Sequence, residues 1–114
     1  KYEYLSSKKE EEPSSKIRER VEKARETQLQ RFKKSGIYFN SQMTDRMIKK
    51  FCILDSEAED LLKMAIRELN FSARSYNKIL KAARTIADLA GSEKITSDHI
   101  SEAVQYRSLD KELF

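Results

Sequence analysis

Glycine and proline are nearly missing from this chain. Its 114 residues hold two glycines, Gly36 and Gly91, and one proline, Pro13. So few breakers exclude a glycine-rich phosphate cradle, and no Gly-x-x-x-x-Gly-Lys-Ser/Thr loop is written anywhere. Tryptophan is absent, Cys52 is the single cysteine and His99 the single histidine. One cysteine excludes an internal disulfide and fits a reducing compartment, so a cytoplasmic setting is expected. One histidine without a cysteine cluster leaves no zinc site and no Cys–His nucleophile. No apolar run is long enough to span a bilayer, and neither a membrane partner nor a bound metal is expected. The chain starts at Lys1 without an initiator methionine and reads as a piece of something longer.

What remains is charge and helix-forming residues. Charged side chains make up 37% and hydrophobic ones 39%, with a net charge of +4. A chain of this length buries roughly 65% of its unfolded surface, enough for one modest core. High charge with few breakers points to an all-α domain, a small bundle of about five helices with solvated outer faces.

Residues 1–13 show no helical period and read as a linker, with the folded domain at 14–114. A first helix is expected from about Ser15 to Lys34, ended by Ser35-Gly36. Its inner stripe is Ile17, Val21, Ala24, Gln28 and Phe32. Tyr38 and Phe39 follow as loop anchors. A short helix at about Thr44–Phe51 comes next, with Met43, Met47, Ile48 and Phe51 inward. Ser56-x-x-Glu59 reads as the capping box of a third helix, which turns Leu61, Leu62, Ala65, Ile66 and Leu69 inward. The fourth and central helix starts after Ser72 and stops at Gly91. Thr96 caps a fifth, which buries Ile100, Ala103, Val104 and Leu109 before fraying at 110–114. His99 is placed at the surface and Cys52 in the core.

Two features stand out chemically. Arg74 falls in the first turn of the central helix, just behind its expected cap, Ser72. A cation there opposes the helix dipole, yet beside free helix-start amides it makes a station for a phosphate. The plainer readings are an ion pair with Glu68 or a solvated side chain. The first helix, in turn, carries eight basic residues against the acidic Glu19, Glu22 and Glu26. Arg18, Lys23, Arg25 and Arg31 are its candidates for contact with nucleic acid or a neighbouring domain. The glutamates also stand at pairing distances, so a solvated, ion-paired helix accounts for the same pattern. Arg84 reads as a solvated or ion-paired residue, and Arg107 as a partner for Asp110.

Phe71-Ser72-Ala73-Arg74-Ser75-Tyr76 through Ala83-Arg84-Thr85-Ile86-Ala87-Asp88-Leu89 resembles a known block. It is similar to the C-terminal helical domain of magnesium-chelatase-related AAA+ ATPases, in the ComM/YifB-like branch. Gln105-Tyr106-Arg107-Ser108-Leu109-Asp110 resembles the family's tail, and Ile17-Arg18-Glu19-Arg20-Val21 with Gln28-Leu29-Gln30-Arg31-Phe32 its first lid helix. The resemblance spans about residues 14–110. Ser75 and Asn77 depart from it, standing where the family commonly has a small residue and a charged one.

That resemblance implies a helical lid of AAA+ type behind an N-terminal α/β core that is not in this chain. The core would hold ATP and Mg2+. Ser72 and Arg74 match the family's sensor-two position, so Arg74 would reach the terminal phosphates, and their loss on hydrolysis would let the lid swing. Expected partners are the protein's own core, neighbouring subunits of a ring and, through remodelling activity, DNA. The piece alone would not hydrolyse ATP, whereas its parent would. Two other readings use the same residues: an autonomous basic nucleic-acid-binding module, and an interaction module that dimerises through the fourth helix.

Overall fold

The structure, a computed structural model, describes residues 13–113, with side chains as far as 107. Five α-helices run α1 Ser14–Arg31, α2 Asp45–Phe51, α3 Ser56–Leu69, α4 Ala73–Leu89 and α5 Ser97–Leu113. A 3-10 turn at Asn40–Gln42 lies between α1 and α2. The expected linker at 1–13 falls almost wholly outside the described residues, as does the expected pairing of Arg107 with Asp110. At the other end α5 continues to Leu113 instead of fraying from 110, with no breaker in its last turns.

Helix ends are set by identifiable residues. Thr44 caps α2, its hydroxyl accepting from the Met47 amide, and Ser72 caps α4 by accepting from the Ser75 amide at 3.2 Å. The cap of α3 is Asp55, not the expected Ser56: its Oδ1 accepts from the Ala58 amide at 2.8 Å. Both positions have a side-chain oxygen. Asp55 wins because its backbone is still extended, pinned by its amide to the Ile95 carbonyl at 3.1 Å. At the end of α4, Gly91 takes φ +71°, the Ser92 amide donates to Ala87 and the Gly91 amide to Asp88. That pair of bonds is the Schellman arrangement expected of a left-handed glycine. Asn70 closes α3 at φ 54° in the same manner, with the Phe71 amide donating to Ile66.

The core gathers around α4. Ile79, Ala83 and Ala87 are fully buried against Ile95, Ile100 and Ala103, while Phe32 meets Phe51 edge-on at 5.6 Å. Burial on this scale is the main favourable term in folding, about 25 cal/mol per Å2 of apolar surface removed from water. A single parallel bridge joins Leu54 to Ile95 and ties the α2–α3 loop to the α4–α5 loop. It supplies the only strand-like pairing among the described residues. Packing within the domain fills the apolar face of α4.

Burial departs from expectation in both directions. Ala24 and Gln28 of α1 and Phe32 just beyond its end are buried, but Ile17 and Val21 are 42% and 43% exposed because the first two turns overhang the bundle. Tyr38, Phe39 and Leu69 are exposed as well. The 37–42 loop is anchored instead by Asn40, whose amide N–H donates to Gln28 Oε1 at 2.9 Å. His99 is buried, against expectation. Its Nδ1 accepts from the Thr96 amide at 3.0 Å, so it plays at the start of α5 the part that Glu or Gln plays in a capping box.

Candidate functional site

The fourth helix is held along its length and open at its start. Near its C-terminal end Asp88 is almost fully buried and collects four polar contacts. Arg31 reaches it from α1 with two hydrogen bonds of 2.7 and 2.8 Å, Asn40 Nδ2 donates at 2.9 Å, and Arg84 pairs with it at 3.2 Å. Arg84, 2% exposed, also donates to the carbonyls of Phe51, Ser92 and Glu93. Burial pulls the Arg84 pKa below its ordinary value, and the Asp88 charge opposes that pull. Charge-assisted bonds of this geometry lock α1, the 40–42 turn and the 91–93 loop onto one side of α4.

At the opposite end of α4 the geometry is open. Ser72 Oγ occupies the Ser75 amide, and the first intrahelical bond runs from the Tyr76 amide to the Ser72 carbonyl. The amides of Ala73 and Arg74 therefore precede the helical ladder, where orphan N–H groups point outward. No acidic residue lies in this first turn. The Arg74 side chain is exposed and, among the described residues, makes no hydrogen bond or ion pair; the alternative pair with Glu68 is not formed. Ser75 is buried and shares a hydrogen bond with Ser72, while Asn77 donates to Asp45 at 2.9 Å. These two departures from the family pattern thus support the helix start and leave Arg74 alone.

The cations of α1 divide. Arg18, Lys23 and Arg25 are exposed, and Lys23 lies 3.6 Å from Glu19 in a solvated pair. Such a pair contributes about 0.3–0.5 kcal/mol. Arg31 is different. Its guanidinium is spent on Asp88 and on Asn40 Oδ1 at 2.8 Å, so the expected outward contact gives way to an internal one. The buried Arg31–Asn40–Arg84–Asp88 network was missed in the sequence. Its signal was present: Arg84 and Asp88 stand four apart, each immediately after a residue of the apolar stripe, Ala83 or Ala87.

Among the described residues no group of three or more His, Cys, Asp or Glu could hold a metal ion, and no helix is long and apolar enough to cross a membrane. What the arrangement can do is present one guanidinium and two free amides to an anion from the end of a rigidly held helix.

The family described as Magnesium chelatase, subunit ChlI C-terminal, matches residues 11–107. Competence protein ComM of Haemophilus influenzae is 40% identical over 98 residues, covering 86% of this chain and 18% of its own length. The uncharacterized protein YifB of Escherichia coli is 39% identical over 100 residues, covering 88% and 19%. A protein of Mycobacterium bovis, also uncharacterized, is 29% identical over 96 residues. No solved structure matches. The chain spans about a fifth of the length of these relatives. With nearly its whole described length covered by the match, the chain belongs to the magnesium chelatase ChlI C-terminal family.

Proposed function

We propose that this domain is the lid of a magnesium-chelatase-like AAA+ ATPase, and that Arg74 is its sensor-two residue. The observation that carries this reading is the exposed Arg74, with no ion pair among the described residues, beside the two amides that the Ser72 cap leaves free, on a helix fixed elsewhere by buried charge. A guanidinium left free at the positive end of a helix costs stability locally. It gains a purpose when a triphosphate is brought to it. ATP and Mg2+ would be held by an α/β core elsewhere in the parent protein, and the relatives' fivefold greater length leaves room for one. Arg74 would bind and orient the terminal phosphate, and Ser72 would keep the helix start in register. The rigid attachment of α4 to α1 and α5 makes the whole bundle move as one body when that contact is lost. A ring of subunits that remodels DNA is the setting we favour for this motion, with the piece alone inactive and the parent an ATPase of the cytoplasm.

The test is Arg74→Ala in the full-length protein, with nucleotide binding and turnover measured separately. Binding should stay intact or weaken mildly, while hydrolysis falls by about 100- to 1000-fold, the scale of losing a single charge-stabilising donor. Unchanged turnover would remove the sensor role.

A further inference from the structure

A second basic surface lies on α4, and it is not the one that composition suggests. Arg74, Lys78, Lys81 and Thr85 follow at helical spacing and fall on one stripe, with about 6 Å of rise between the first two. Lys78 is exposed and Lys81 half-buried. On either side of Lys78 and Ala82 are two adjoining hollows of about 160 and 340 Å3. One is walled by α5 through Ala103, Tyr106 and Arg107, the other by Ser41 of the 3-10 turn. Ile79, Ala82 and Ala103 give the smaller one an apolar floor, Ala82 and the lysine stems line the larger, and among the described residues no carboxylate lines either of them. Lys81 donates one hydrogen bond to the Ser41 carbonyl at 3.1 Å, which steadies its ammonium and leaves two protons outward. Tyr106 stands at the edge with 71% of its surface exposed, the most open large hydrophobic residue among the described residues.

We infer that this groove binds a single strand of nucleic acid. The combination is cations along a track, an apolar floor and an open aromatic face beside them. Lysines neutralise phosphates without regard to sequence, and an exposed tyrosine offers a base a face on which to stack. The α1 helix has the larger number of cations but lacks this combination. Its charges alternate with glutamates, Lys23 pairs with Glu19, and Arg31 is consumed inside the domain. An acidic peptide would satisfy the lysines but leave Tyr106 unused. The inference does not depend on the role of Arg74 in ATP turnover, because the domain alone is expected to bind.

The experiment uses the present chain and a fluorescently labelled oligothymidylate, with anisotropy read across about 50 to 200 mM salt. Binding should weaken linearly on logarithmic axes as salt rises. Lys78→Ala with Lys81→Ala should reduce that slope by about 1.4, at about 0.7 per lost phosphate contact. Tyr106→Ala should weaken binding about tenfold at fixed salt with the slope unchanged, the signature of a stacking contact. Lys78 and Tyr106 are exposed and Lys81 is half-buried, and circular dichroism checks that each variant is folded. Three results would each overturn the inference: no measurable binding, competition by polyglutamate as effective as by unlabelled oligothymidylate, or loss of the slope in Arg18→Ala/Lys23→Ala/Arg25→Ala but not in the lysine pair on α4.

Discussion

Asp88 shows how much of this domain rests on single side chains. Its carboxylate faces two buried guanidinium groups and one amide, so its removal strands two positive charges at once. Breaking a buried pair by deleting one partner costs about 3–5 kcal/mol. Asp88→Ala should therefore lose that much in urea denaturation, and Arg84→Met should lose less, because Asp88 keeps Arg31 and Asn40. Equal losses would mean that the carbonyl contacts of Arg84 outweigh the charge pair. Cys52 offers a second check. Burial pushes its thiol up to about 11 from an ordinary 9.0, although nearby Arg84 pulls the other way, and its Sγ–H donates to the Leu80 carbonyl. The thiol is thus protonated near neutrality, and iodoacetamide should label it only after denaturant is added. Because the folded pKa lies above the unfolded one, this contribution to stability is complete below about pH 9 and is lost as pH rises through about 11.

Among the helices, legibility depended on how local the cause was. The starts of α2 and α4 were readable because Thr44 and Ser72 act on amides three residues away, a relation contained in the sequence. The start of α3 was misread by one residue because the choice between Asp55 and Ser56 is made by Ile95, forty residues on. His99 was misplaced for a related reason: its ring is drawn to the Thr96 amide and covered there. Cap substitutions separate these cases. Ser72→Ala and Asp55→Ala should each cost about 1 kcal/mol, while Ser56→Ala should be near neutral. In a domain of this size a change of 1 kcal/mol shifts Tm by about 4–8 °C, within reach of a thermal melt followed by circular dichroism. The candidate site was legible on the same terms. Arg74 follows a cap that local chemistry dictates, whereas the fate of Arg31 was settled by Asp88, which comes from another helix.

For the molecule as a whole, the open question of packing lies in α1. Its stripe from Ile17 to Phe32 has one helical period, yet the bundle covers only the second half of it. Periodicity reports which residues share a face, not how far the neighbouring elements extend along it. Ile95 sits at the other extreme, fully buried where the Leu54 bridge, α4 and α5 converge. Ile95→Ala should therefore cost about 2–5 kcal/mol by chemical denaturation, as deletions in a filled core do. Ile17→Ser together with Val21→Ser should stay within about 0.5 kcal/mol of the parent chain, the range of surface changes. Measuring both variants at two protein concentrations sharpens the comparison. A large, concentration-dependent loss in the serine variant would mean that the overhanging turns are covered by a second copy in solution. A small loss independent of concentration leaves Ile17 and Val21 as an apolar ridge continuous with the buried face of α1. In the lid reading, that ridge is the part of the bundle best placed to pack against a neighbouring domain of a longer protein.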